Sequence, residues 1–373
     1  MQARVVVNRA GSGAANNLIR SLRAGGRPVY VIGCHHDPFV LRKSAADANC
    51  LVPRVGHQHF TEALCRVIRN ERADLFLPHT DDDVELASRL REALPCRVFL
   101  PPPDVIELCQ DKYRLNTWLA ARGVPVPLTY PVTPPSPVEE VFARLAPRSP
   151  LWCRVRTGSG SVGATPVRTV EQARAWISYW QDMRGVPPDA FVLSEYLPGR
   201  DFACQMLWRS GVPVLTKTCE RLSYFGGAGR PSGVSSVAAL AKTVYEPGVR
   251  DICVAAIRAL GADVSGAFSV DLKEDAFGLP RITEINAGRF ITMMNLFDFT
   301  GKRSMTATYV ALALGEPVDG GDDYDVDEEH YFMRDVDTVP AIFHADELFM
   351  GIADARWPAT ERAMTISRQE EPR

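Results

Sequence analysis

The chain lacks most of the features that would assign it at sight. Its nine cysteines are an odd number, scattered over 373 residues without a C-x-x-C pair. That argues against a zinc ribbon and against a disulfide framework, and favours free thiols in a reducing compartment. No apolar run approaches the length of a membrane span, and the opening MQARVVVNRAG enters a β-rich stretch without a basic region followed by a long apolar segment. A cytoplasmic protein is the expectation. A formal charge of -3 gives no reason to propose a nucleic-acid groove or an anionic membrane surface as partner. Walker A is absent, as are the catalytic-loop and D-F-G segments of protein kinases, which sets two nucleotide-using classes aside. Internal repeats and low-complexity tracts are missing too.

What remains is the composition of a globular protein, 46% hydrophobic and 23% charged. The chain is long for one core, so two or three domains are expected. Residues 1–110 alternate short β-rich runs (Arg4–Asn8, Pro28–Gly33, Asp74–Pro78, Arg97–Leu100) with helical ones (Ala14–Ala24, Phe60–Asn70, Asp83–Leu94). Such alternation predicts a small doubly wound α/β unit with a parallel sheet. Helices from Asp104 and over Lys112–Arg122 lead into the proline-rich Val124–Pro137, read as a linker between lobes. Strands and hairpins dominate from Leu151 to Ala255, and helices over Val249–Leu260 and Lys302–Leu314 flank a last hairpin. Gly320–Glu329 reads as a solvated acidic loop, Tyr331–Phe343 as one strand, and the rest as a polar tail.

That last hairpin, GAFSVDLKEDAFGLPRITEINAGRF over Gly266–Phe290, carries the most chemistry. Folded symmetrically about Phe277–Gly278, it sets Asp271 opposite Glu284, and strand alternation puts Asn286 on the same face. Opposed carboxylates repel, so a cation between them is expected. Two carboxylates and an amide carbonyl, with no Cys or His, are hard oxygen ligands that suit Mg²⁺ rather than zinc. Metal-bound nucleotide phosphate is the chemistry this suggests.

Other motifs are weaker singly. Gly11-Ser-Gly13-Ala-Ala-Asn16 follows a strand and opens a helix, and Asp37 ends the next strand, which is nearly a dinucleotide fingerprint; a tight strand-to-helix turn accounts for it as well. LWCRVRTGSGSVG over Leu151–Gly163 puts Gly158, Ser159, Gly160, Ser161 and Gly163 at a hairpin tip that can approach phosphate oxygens, with Arg154 and Arg156 on the incoming strand; a mobile surface turn is the plain alternative. FVLSEYLPGRDF ends a strand at Glu195, where the backbone of Glu195 and Leu197 could meet an adenine edge and Asp201 ribose hydroxyls, or where the chain simply turns. Lys217, near the end of VPVLTKT, is either a phosphate ligand or a snorkelling lysine, and the glycine-rich Arg221–Gly233 offers Arg221 and Arg230. His35-His36 and His57-x-His59 have no metal-ligand spacing. His79-Thr-Asp-Asp-Asp83 lies where ligands of α/β sheets bind, although a helix cap built by Asp81 or Asp82 explains it almost as well.

Taken in chain order, these pieces resemble the ATP-grasp superfamily over about residues 1–315. DKYRLNTWLAARGVPVP is similar to the family's helix bearing Lys112 before a G-[VI]-P-x-P segment, GSGSVG resembles its glycine flap, and Asp271 with EIN resembles its metal triad. The resemblance is nearest to carboxylate–amine ligases related to the carbamoyl-phosphate synthase large subunit. It implies an α/β fold with a Rossmann-like N-terminal domain (1–110), a small lobe with the flap (111–190), a large lobe with the metal hairpin (191–315) and a C-terminal extension (316–373). It further implies ATP held by Lys112, Arg154, the flap, Glu195, Leu197, Asp201 and Lys217, with Mg²⁺ or Mn²⁺ on Asp271, Glu284 and Asn286. Lys217 and Arg289 would serve catalysis, although EINAGRF places Arg289 one position later than the family's E-I-N-x-R. The activity implied joins a small-molecule carboxylate to an amine, or to a thiol, through an acyl phosphate, in a protein that can be a homodimer. A carboxylate kinase, a carboxylase of the same scaffold or a non-catalytic nucleotide-binding regulator are the alternatives, with an NAD-linked oxidoreductase further off.

Overall fold

A computed structural model describes residues 2–133, 137–145, 150–226, 232–318, 320–335 and 341–347. The chain opens as the alternation dictates. Strands β1 (Ala3–Val7), β2 (Val29–His35), β3 (Ala48–Leu51) and β4 (Leu75–Leu77) pair in parallel in the order β3-β2-β1-β4. Their near-continuous Val and Leu runs are buried on both faces, as a parallel sheet requires. Helices α1 (Gly13–Ala24), α2 (Pro38–Leu41), α3 (Phe60–Asn70) and α4 (Asp81–Arg89) supply the connections. Arg97–Leu100, expected as a strand, makes only an isolated bridge from Arg97 to Leu75. The short strand β3 was not legible, because ANCL has too few β-branched residues to signal one.

Two helices, α5 (Pro103–Gln110) and α6 (Lys112–Ala120), then pass to an antiparallel sheet in the order β5-β8-β6-β7. Its strands are β5 (Thr129–Pro131), β6 (Leu151–Val155), β7 (Thr165–Val167) and β8 (Phe191–Glu195), backed by α7 (Val138–Leu145) and α8 (Val170–Arg184). The proline-rich segment is therefore more than a linker: Thr129–Pro131 forms an edge of this sheet, where a missing proline N–H is tolerated. Val141, Leu145, Leu151, Ile177, Phe191 and Leu193 make a separate core for this lobe.

The third sheet is antiparallel, ordered β13-β12-β9-β10-β11-β14-β15. It comprises β9 (Asp201–Arg209), β10 (Val212–Tyr224), β11 (Ala238–Thr243), β12 (Gly266–Glu274), β13 (Pro280–Ala287), β14 (His330–Met333) and β15 (Ala341–His344). Helix α9 (Pro247–Leu260) packs on β9 and β10, while α10 (Met294–Asp298) and α11 (Met305–Leu314) pack against α1. One apolar cluster runs from Val6 and Phe76 of the parallel sheet to Trp208, Phe268 and Ile285 of this one, which fixes the first unit against the hairpin.

Two expectations change here. Tyr331–Phe343 is two paired strands, β14 and β15; residues 336–340 between them lie outside the described residues, as does the tail from 348. The acidic loop is not simply solvated. Tyr324 bridges to Thr216 on β10, and Tyr324 and Asp325 are each only 9% exposed. An internal cation makes that burial possible, as described below.

Candidate functional site

The hairpin β12–β13 has the register its sequence dictates. Asp271 pairs with Glu284 and Ser269 with Asn286. Past Asp271 the register shifts, so that Leu272 pairs with Ile282 and Thr283 is the extra residue of a bulge. A bulged residue leaves the ladder. The Thr283 carbonyl is accordingly free to accept from Arg154 Nη2 at 2.8 Å. This draws the guanidinium of β6 onto the hairpin, with Nη1 at 3.8 Å from Glu284 Oε2.

Lys112 arrives from the other side. Asp111 caps α6 and is held by Arg156 (2.7 and 2.9 Å to Nε), while the Lys112 N–H donates to the Arg156 carbonyl at 3.0 Å. Thus the first turn of α6 is tied to the end of β6. Lys112 Nζ donates to the Gly158 carbonyl at 2.5 Å and lies 4.0 Å from Glu284 Oε2. Arg156, expected beside the phosphates, is spent on that anchor.

Between the two antiparallel sheets lies a cavity of about 390 Å³. Its walls include Lys112, Arg154, Glu195, Leu197, Asp201, Asp271 and Glu284, together with Gly158, Ser159, Gly160 and Ser161 of the turn between β6 and β7. Gly163 closes that turn behind the wall, where a Cβ would come within 2.5 Å of Val155. Gly158 and Gly160 have φ of +92° and +77° with no neighbour within 4 Å of a Cβ position, so they face open space. Trp152, Tyr196 and Pro127 add apolar wall, as a flat heterocycle would require.

Electrostatics separate the two carboxylates. Burial pushes Asp271 up to about 6 despite the Arg221 guanidinium, with Glu284 adding to the rise. Burial would raise Glu284 also, but Lys112, Arg154 and Arg289 outweigh it and hold Glu284 down at about 2. Burial lowers Lys112 and Arg154, and the nearby Glu284 opposes this in each.

Asn286 and Arg289 stand beside the cavity rather than on its wall. Asn286 Nδ2 donates to Glu284 Oε1 at 3.3 Å, and its Oδ1 accepts from Arg289 Nη2 at 2.5 Å. Arg289 Nε donates to Asp81 Oδ1 at 2.6 Å. Gly288, at φ +86° against Val84 and Leu100, is the inserted residue that turns Arg289 toward the N-terminal unit. Of the expected N-terminal loops, Asp81 alone reaches the site in this way. Asp37 caps α2, Asn16 bonds the backbone of Lys43 and Ala45, and the helix α4 is capped by Thr80 instead of Asp81 or Asp82.

Lys217 is the clearest correction. It shares a sheet face with the site residues, but its Nζ donates to the carbonyls of Phe297 (2.8 Å) and Thr300 (2.7 Å) and pairs with Asp325 at 3.2 Å. At 1% exposure it cannot touch a ligand in this arrangement. On the cavity wall that face of the sheet presents Arg221, Tyr224 and Lys273 instead. Alternation along β10 from Lys217 through Cys219 to Arg221, and along β12 from Asp271 to Lys273, was the signal available. Arg230 lies outside the described residues.

No group of three or more His, Cys, Asp or Glu able to hold a metal occurs among the described residues. A metal here would need the Asn286 carbonyl or oxygens from phosphate and water beside the two carboxylates, which is hard-cation chemistry. No helix among the described residues is long and apolar enough to cross a membrane, and all nine cysteines are free.

A parallel α/β unit followed by two α+β lobes around such a cavity is the ATP-grasp fold, and this chain has it. An L-amino acid ligase from Bacillus licheniformis superimposes with a TM-score of 0.64 at 13% identity, covering 89% of this chain and 79% of that one. The biotin carboxylase domain of the Hydrogenobacter thermophilus 2-oxoglutarate carboxylase, solved as a dimer with MgADP, gives 0.68 at 16%, covering 89% and 73%. Among curated proteins, a probable alpha-L-glutamate ligase from Xanthomonas campestris pv. campestris is 27% identical over 189 residues, 50% of this chain and 60% of the relative. The match therefore spans less than two thirds of that relative's length. No family model matches the chain.

Proposed function

We propose that the chain is an ATP-dependent carboxylate–amine ligase working through an acyl phosphate. The observation that carries this reading is Asp271 facing Glu284 across the hairpin, with Lys112 and Arg154 closing on Glu284 beneath a glycine turn. ATP fits the cavity chemically. The Arg154 Nε is buried and unpartnered, a donor that a phosphate oxygen satisfies. Lys112 supplies a second cation to the phosphates, the turn from Gly158 to Gly163 covers them, Asp201 meets the ribose, and the chain at Glu195 and Leu197 meets the adenine. Mg²⁺, or Mn²⁺, suits the oxygens of Asp271, Glu284 and Asn286. When bound it neutralises phosphate charge during phosphoryl transfer.

In the reaction, a substrate carboxylate oxygen attacks the γ-phosphorus and ADP leaves. The amine nitrogen then attacks the acyl carbon, losing its proton to solvent as inorganic phosphate departs. A thiol can replace the amine in the same sequence. Closure of the glycine turn keeps water from the acyl phosphate. Arg289, held by Asp81 and bonded to Asn286 Oδ1, orients that amide oxygen rather than reaching the acyl group. The names of the relatives make amino acids, glutamate first, the substrates to try. Residues 1–110, 111–190 and 191–315 serve as the three working parts, and β14 and β15, from the expected extension 316–373, complete the sheet of the third. Cytoplasmic location goes with the ATP requirement and the free thiols, and sedimentation would test for a homodimer.

Glu284→Gln should leave the protein folded, with a lowered melting transition because Lys112 and Arg154 lose their carboxylate, and reduce Mg²⁺-dependent ADP formation about 10² to 10³-fold. Unchanged turnover on a productive substrate pair would overturn the assignment. Product mass separates the alternatives: a ligase incorporates the amine, a carboxylase or kinase does not, and a regulator binds nucleotide without releasing ADP.

A further inference from the structure

The seven-stranded sheet aligns Arg221 on β10 with Asp201 on β9 and Lys273 on β12, on the face that carries Asp271. Its guanidinium is shared between two carboxylates. Nη2 donates to Asp271 Oδ1 at 2.5 Å, and Nη1 donates to Asp201 Oδ1 at 3.2 Å. Tyr224 fixes the far side of Asp201, its hydroxyl donating to Oδ2 at 2.6 Å. The Arg221 side chain is 12% exposed, so this is an internal contact and not a surface pair. Lys273 Nζ stands 4.0 Å from Asp201, while Lys112 and Arg154 cover Glu284. Each of these three cavity carboxylates is thus faced by a cation of the chain itself.

That arrangement conflicts with a metal on Asp271. A divalent cation bound to its Oδ1 would sit beside the guanidinium, with about twice the repulsion of two unit charges at the same separation and little water to screen it. A guanidinium cannot relieve this by losing a proton. It can move, and beyond Asp201, which it already holds, the compensating anion would be the phosphates of a nucleotide, which a planar fork of donors suits well.

We infer that Arg221 is an internal counter-cation for Asp271 that keeps a lone metal ion out, and that nucleotide phosphates draw it away and so open Asp271 to the metal. The inference rests on the ATP-ligase reading and deepens it. Metal and nucleotide then reinforce each other's binding, each by the same factor. Asp201 sets the balance, because it shares the Arg221 guanidinium with Asp271.

The test is binding of Mn²⁺ alone to the full chain, followed by electron paramagnetic resonance of the free ion, with no nucleotide present. Arg221→Met should tighten Mn²⁺ roughly 10-fold or more relative to the parent protein, and weaken ADP binding measured in chelator. Asp201→Asn should act oppositely on the metal, because Arg221 then rests wholly on Asp271. Mn²⁺ affinity unchanged or weaker in Arg221→Met overturns the inference; if that variant does not fold, unchanged or tighter Mn²⁺ binding by Asp201→Asn does so. Calorimetry of MgADP with the parent protein separates the two levels. No binding there removes the ligase reading and this inference with it, whereas MgADP binding without the Arg221 effects removes only the inference.

Discussion

The cavity between the lobes and the packed interior outside it each contain a buried cation and a positive-φ glycine turn. In the cavity, Arg154 has an unpartnered Nε and one carbonyl partner, and Gly158 and Gly160 face open space. In the interior, Lys217 is held by two carbonyls and Asp325, and at Gly11 a Cβ would fall 1.9 Å from the Val40 carbonyl oxygen. The residue types are alike and the surroundings are opposite. A buried donor with acceptors to spare around it is structure, whereas a buried donor left unpartnered beside a void is a place for a ligand. The distinction predicts that changes in the interior cost stability and changes in the cavity cost binding.

The cations break the comparison most sharply. Lys217→Met leaves Asp325 buried without its partner and frees two carbonyls inside the core, so a loss of about 3–5 kcal/mol of unfolding free energy is expected. Arg154→Met removes a desolvated charge that the fold does not need, and the melting temperature should hardly move. Its effect should be on MgADP affinity, weakened roughly 100-fold, or about 2.7 kcal/mol. Urea titration and calorimetry on both variants decide the matter. A stable Lys217→Met protein with impaired nucleotide binding would return Lys217 to the site.

Much of the cavity wall was legible in the sequence. The hairpin declared itself because strand alternation and a glycine tip set the Asp271–Glu284 register, and that register holds even though a bulge at Thr283 shifts the pairs beyond it. The glycine turn between β6 and β7, and Lys112 and Arg154 beside it on the cavity wall, were equally readable. Lys217 was misjudged for a physical reason: alternation gives the face of a strand but not what covers that face farther along. Its cover comes from Asp325, over a hundred residues downstream in a segment whose acidic composition resembled a solvated loop. Arg289 was displaced by one glycine, and only the packing of Gly288 against Val84 and Leu100 tells which way it turns. The parallel sheet was recognised as a class, whereas its short strand β3 and the Thr80 cap of α4 were not.

The glycines sharpen the comparison at smaller magnitude. Gly11→Ala adds a strained left-handed φ to a direct clash with the Val40 carbonyl, and a loss of about 3 kcal/mol is expected. Gly160→Ala meets no atom, so its cost is the backbone term alone, about 1 kcal/mol, while nucleotide affinity falls several-fold as the turn stiffens. Melting curves with and without MgADP distinguish them. Gly11→Ala should lower both curves equally, and Gly160→Ala should chiefly reduce the shift that ligand produces.

The smallest expected effect concerns pH and tests the interior alone. His79 is buried at the carboxyl edge of the parallel sheet, and its Nε2–H donates to the Asn8 carbonyl at 2.6 Å. A carbonyl only accepts, so Nε2 carries the proton of the neutral ring. Burial pushes His79 below its ordinary 6.5, although the nearby Asp83 opposes the shift. A histidine held neutral in the fold stabilises it fully above the unfolded value. That contribution is lost as pH falls below 6.5, because the unfolded chain then binds the extra proton. Between about pH 7.5 and about pH 5.5 the loss should be about 1 kcal/mol, to be read as the difference in pH slope between the parent protein and His79→Gln. Because His79 lies outside the cavity wall, saturating MgADP should raise both curves without altering that difference. A pH dependence that vanished with nucleotide bound would tie His79 to the site and blur the division between interior and cavity.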